Sequence, residues 1–192
     1  GVHVAVLDTG LVPNYRDYFP GARVAEKLGT GFEQQLHFSP AEDPCDISVE
    51  TGALKQTTWV GSTGSTHGTH VASTILGYSY RSNFDAVAGF PLPPIVVRGI
   101  APDVTVIPVK VLTDYQLPAR PNCEDEDVDT SAQKTVFGTD AMVAAGIDYV
   151  TGLAEAGVEP MVINMSLGDN VPAPEIEDAI DRAIDAGVIV VA

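Results

Sequence analysis

Three apolar runs decide the fold: VTVIPVKVL at Val104–Leu112, MVINM at Met161–Met165 and VIVVA at Val188–Ala192. Short runs this continuous, rich in Val and Ile, belong to strands buried on both faces. Between them, Asp140–Ala156 and Glu175–Ala186 carry apolar residues at helical spacing. In the second, Ile176, Ala179, Ile180, Ala183 and Ile184 share one face, with carboxylates on the other. Gly157 and Gly187 follow as helix stops. Strand, helix, strand, helix, strand requires crossover connections, and these produce a parallel sheet with helices on both faces, an α/β fold. Val2–Leu7 adds a further apolar strand near the start.

The 192 residues, 45% of them hydrophobic, suit one domain with a sizeable core. No segment approaches the roughly 18 consecutive apolar residues of a membrane span, so no membrane partner is expected. Ten basic against 26 acidic side chains give a formal charge of −16, which repels phosphate backbones and excludes nucleic acid as a partner. Strand-like sequence begins at once after Gly1, the expectation for a start from which a targeting or pro-segment has been removed. Cys45 and Cys123 could form one surface disulfide or remain free thiols, and neither case makes a zinc site.

Three stretches depart from the α/β pattern. Residues 18–66 mix polar residues with many turn formers, and residues 77–103 include Pro91-Leu92-Pro93-Pro94. Both read as surface loops and insertions. Thr113–Val136 holds Pro118, Pro121, Cys123 and the acidic run Glu124-Asp125-Glu126-Asp127 with Asp129, which reads as a long solvated loop.

Ligands of an open parallel sheet bind beyond the carboxyl ends of its strands, where helix N-termini point outward. Asp8 closes the first run at such an end, in Asp8-Thr9-Gly10. His67 opens the helical stretch His67–Leu76, in His67-Gly68-Thr69-His70-Val71-Ala72. A serine hydroxyl is a poor nucleophile at neutral pH. An imidazole must take its proton, and a carboxylate must fix the imidazole tautomer and stabilise the imidazolium. Asp8 and His67 suit those two roles.

In these contexts the chain resembles the subtilisin-like serine peptidases, or subtilases, whose triad runs Asp, His, Ser along the sequence. Gly99-Ile100-Ala101-Pro102, Val109-Lys110-Val111-Leu112 and Val162-Ile163-Asn164-Met165-Ser166-Leu167-Gly168 extend the match over nearly the whole chain. The resemblance implies Asp8 as the orienting carboxylate, His67 as general base and His70 as a packed structural histidine. It implies Ser166, Leu167 and Gly168 as contacts to an extended polypeptide substrate, so Ser166 is not the nucleophile. Val136-Phe137-Gly138 corresponds to a second peptide-pairing edge. Asp17, by its distance from Asp8, corresponds to a ligand of a structural calcium, while the chemistry itself needs no cofactor. The resemblance further implies secretion.

The family's oxyanion-hole Asn and its Gly-Thr-Ser nucleophile motif do not occur within the 192 residues. The expectation is therefore a truncated catalytic-domain segment of a serine endopeptidase, inactive alone, with an exposed apolar face covered by the missing C-terminal part or by self-association. The alternative is a non-catalytic peptide-binding or scaffold module of the same fold. An aspartic peptidase would need a second Asp-Thr-Gly and an all-β fold. A zinc site at His67 and His70 would need a third ligand, and none is evident.

Overall fold

A computed structural model describes residues 1–64, 66–80, 95–125, 127–168 and 171–192. Strand β1 (His3–Asp8) is buried along almost its whole length because it lies in the middle of a six-stranded sheet. β6 (Thr105–Lys110) pairs with one edge of β1 and β9 (Met161–Asn164) with the other, both parallel. β10 (Ile189–Val191) pairs parallel with β9, and β2 (Thr30–Pro40) parallel with β6. With β3 (Ile47–Thr57) paired to the outer edge of β2, the sheet order is β10-β9-β1-β6-β2-β3. The three apolar runs are thus strands, and the parallel α/β architecture with helices on both faces holds.

Alternate residues of the central strands feed two cores. Ala5, Leu7, Ile107, Val109 and Ile163 face α2 (Asp140–Glu155) and α3 (Pro174–Asp185). Val4, Val6 and Val106 face α1 (His67–Leu76), with Tyr15 and Phe19 beside it. α2 sits close to the sheet because Gly146 has no side chain; a Cβ there would lie 2.5 Å from the Cγ1 of Val111. On α3, Ala179 and Ala183 are fully buried and Ile176 and Ile180 pack at the core margin, but Ile184 is exposed. The apolar face read from the sequence is one residue too wide at that end.

Residues 18–66 are not simply surface loop. They contain β2 and β3 (Ile47–Thr57), a long antiparallel hairpin that completes one side of the sheet. Its strands mix polar with apolar residues and are largely exposed, so they lack the buried apolar run that marks the central strands. In residues 77–103, β4 (Gly77–Tyr80) pairs antiparallel with β5 (Ile95–Arg98). The proline run between them lies outside the described residues. The acidic stretch expected to be loop is likewise framed by a hairpin, β7 (Thr113–Leu117) with β8 (Gln133–Phe137). Two of its carboxylates serve turns: Asp125 accepts from the Asp127 N–H at 3.0 Å, and Asp129 from the Ser131 N–H at 2.9 Å. No described helix is long and apolar enough to cross a membrane.

The two larger hairpins are joined. Cys45 and Cys123 form a disulfide across a sequence separation of 78 residues. The Arg120 guanidinium donates to the Cys45 carbonyl at 2.9 Å. Phe38 meets Tyr115 edge-on, and Tyr115 stacks on Phe137 at 4.6 Å between centroids. Closing so long a loop removes unfolded-state entropy worth about 4.5 kcal/mol by the chain-entropy argument. The double substitution Cys45→Ser with Cys123→Ser is expected to lower the unfolding free energy by about 2–4 kcal/mol in urea denaturation. An unchanged midpoint would show that the crosslink constrains nothing.

Candidate active site

β1 has its partners on opposite sides from different parts of the chain, so the crevice beyond its carboxyl end is where a ligand site of this architecture forms. Asp8 ends β1 there, with 0% of its surface exposed. A buried carboxylate is costly unless donors surround it. The Thr9 N–H donates to its Oδ1 at 2.7 Å, and Nδ1 of His67 lies 2.9 Å from both carboxylate oxygens. The structure therefore brings together the two residues singled out from their motifs. A proton on Nδ1 leaves Nε2 free to accept another.

His67 is the first residue of α1, and the Asp-Thr-Gly turn holds that helix end in place. Thr9 Oγ1 accepts the Gly68 N–H at 2.9 Å, one of the donors a helix leaves open at its start. Thr69 Oγ1 accepts the Val12 N–H at 2.9 Å in return. Gly68 lets the two segments touch, since a Cβ on it would lie 2.5 Å from the Gly10 carbonyl oxygen and 3.1 Å from the Asp8 carboxylate. Gly10 has φ of 76°, and a side chain there would run into the Trp59 carbonyl. Thr9, Thr69 and Gly68 were not assigned roles from sequence, although they lie inside the two motifs that were.

The His67 side chain is 53% exposed and opens onto a cleft of about 540 Å³. Ser166, Leu167 and Gly168 line one wall and Val136, Phe137 and Gly138 another, so both expected peptide-pairing segments border it. Ser166 Oγ accepts from Asn164 Nδ2 at 3.0 Å, and Ser166 and Gly168 are exposed while Leu167 packs on the core. Gly138 lies so close to the Val111 carbonyl that a Cβ would collide with it. Thr139 caps α2, accepting from the Met142 N–H and donating to Gln34 Oε1 at 2.7 Å. Behind this wall, burial and then the Glu33 carboxylate push the Tyr115 phenol up, and its hydroxyl donates to the Gln34 carbonyl at 2.8 Å.

Two expected residues lie elsewhere. His70 is exposed, not packed, because its position on α1 faces a second cleft of about 390 Å³ beside Tyr18, Phe19 and Tyr78. Asp17 sits in a short 3₁₀ turn, Tyr15–Asp17, is exposed, and accepts from Asn14 Nδ2 at 3.1 Å. Among the described residues no three carboxylate, imidazole or thiol groups gather to hold a metal ion. Asp17 therefore belongs to no such group, and no step below depends on a metal ion.

A model of the subtilase family matches residues 1–192. The chain is 29% identical over 191 residues to an extracellular serine proteinase of a Thermus species, covering all of this chain and 30% of that protein. It is 30% identical over 129 residues to subtilisin DY of Bacillus licheniformis, covering 67% of this chain and 33% of that protein. Among solved structures it is similar to a psychrophilic protease at 26% identity and a TM-score of 0.56, covering 99% of this chain and 44% of the other. It shares its fold with sphericase, at 24% identity and the same TM-score of 0.56. The chain spans about a third of the length of the curated relatives it matches.

The close approach at Gly68 yields a direct test of the site's construction. Gly68→Ala is expected to push α1 away from β1, destabilise the fold by about 1–3 kcal/mol and weaken the His67–Asp8 hydrogen bond. The low-field proton resonance of the His67 Nδ1–H would then move upfield or vanish. An unaltered resonance and melting curve would mean that the contact has slack.

Proposed function

This chain belongs to the subtilase family, and from that premise we propose that the protein carrying it is a serine endopeptidase in which Asp8 and His67 are two members of the triad. One observation carries the reading: a half-exposed imidazole faces a large cleft on one side and a fully buried carboxylate, 2.9 Å away, on the other. Asp8 holds the ring so that Nε2 is the basic nitrogen. His67 then takes the proton of the attacking serine hydroxyl and later returns it to the leaving amine, while the acyl group rests on the serine.

The substrate is an extended polypeptide. It lies between 166–168 and 136–138, pairing its backbone with exposed segments, and this strand addition is largely indifferent to side chains. Ser166 belongs to that wall and is not the nucleophile. Residues 1–192 contain no nucleophile motif and no oxyanion-hole Asn of the family kind, so taken by themselves they are silent in this reading. The exposed Ile189 and Val191 on β10, with Ile184 on α3, are suited to burial against further polypeptide of the same protein or a second copy. Secretion is part of the proposal. A relative described as extracellular and a disulfide, which persists in oxidising compartments, both support it.

Cleavage of an unfolded polypeptide by the protein carrying this chain tests the proposal. His67→Ala is expected to lower kcat at least about a thousandfold, and Asp8→Asn by a comparable factor, with little change in KM. Full activity in a variant would remove that residue from the chemistry.

A further inference from the structure

We propose that Lys110 is a positioning residue of the Asp8–His67 pair, a buried cation steered by Glu33 that sets the charge balance around the carboxylate and hence the basicity of His67. The inference rests on the roles given above to Asp8 and His67, and adds a residue to them.

The register of the sheet carries the placement. Asp8 on β1 is the direct partner of Lys110 on β6. In-register neighbours of this parallel pair face the same way: Leu7 and Val109 both enter the α2–α3 core, and Val4 and Val106 both enter the α1 core. One step on from Leu7 and Val109, Asp8 and Lys110 therefore leave the α1 face together, on strands about 5 Å apart. The backbone binds them too, since the N–H groups of Val111 and Leu112 both donate to the Asp8 carbonyl, at 2.8 and 3.1 Å.

Lys110 is 7% exposed and is the only buried lysine or arginine among the described residues. Holding an ammonium there requires an anion, because an unpaired buried charge is strongly unfavourable. Glu33 meets that need. It lies two residues beyond Gly31, the β2 partner of Lys110, and pairs with the ammonium. A hydrocarbon side chain at position 110 would satisfy the core at lower cost, so the strand's place in the sheet alone does not account for a lysine.

Other charged groups lie around this end of the sheet. Asp8 touches it from β1, and Asp140 at the start of α2 lines the same cleft. Asp114 on β7 accepts from Ser62 in the loop before His67. Glu33 follows on β2, with Lys55 opposite it on β3. His70 lies one turn along α1. Lys110 is the cation set in register with Asp8 from inside the sheet.

Histidine-labelled NMR titration of His67 in the protein carrying this chain reads this effect. Lys110→Met is expected to move the His67 titration midpoint to higher pH by about half a unit or more, and Lys110→Arg to restore it. Glu33→Gln is expected to move it to lower pH, because one anion is lost and the ammonium is no longer drawn away. Asp8→Asn is the control. A midpoint insensitive to Asp8→Asn overturns the pair itself. A midpoint that responds to Asp8→Asn but not to Lys110→Met or Glu33→Gln overturns the role of Lys110 alone. Should Lys110→Met not fold, the Glu33→Gln titration decides, since glutamine keeps an oxygen that can accept from the ammonium and the side chain is 41% exposed, within reach of water.

Discussion

A carboxylate with no contact to water governs the top of this sheet. Asp8 is fully buried, and a buried anion is tolerated only where donors replace the solvent it has lost. The Thr9 N–H and His67 Nδ1 are those donors in the structure. To deliver the imidazole, α1 must begin within hydrogen-bonding reach of the end of β1. That demand explains the threonine hydroxyl under the helix start, the missing side chain at Gly68 and the left-handed turn at Gly10. Much of what looks like a chemical motif is thus the means of housing one charge.

The fold was most readable where burial imposes a pattern. Val104–Leu112 and Met161–Met165 are interior strands, and their continuous apolar character follows from helices on both faces; Val188–Ala192 has the same character but forms the edge strand β10, where Ile189 and Val191 are exposed. The helices α1, α2 and α3 were legible within a residue or so of their ends for the same reason. β2, β3, β7 and β8 were not, because their pairing depends on backbone hydrogen bonds that any residue can make, and their side chains are largely exposed or half-buried. Pairing that rests on the backbone in this way leaves little trace in residue pattern.

The site divides along similar lines. Asp8 and His67 were legible because each sits at the end of a well-patterned element, one a strand and the other a helix. The cleft walls at 166–168 and 136–138 were reached through family resemblance, not through their own chemistry. His70 was misplaced because its motif neighbours are buried, yet its angular position on α1 turns it outward. Lys110 was read only as part of an apolar run and of a stretch matching the family, since sheet register alone sets it beside Asp8.

The bond between Cys45 and Cys123 has an architectural consequence. It fastens a hairpin that widens the sheet to a hairpin whose second strand leads into the cleft. Residues 30–57 and 113–138 are therefore one piece of equipment encoded in two places. Neither can be shortened, exchanged or transplanted onto a related scaffold without the other, and variation in one must be matched by variation in its distant counterpart.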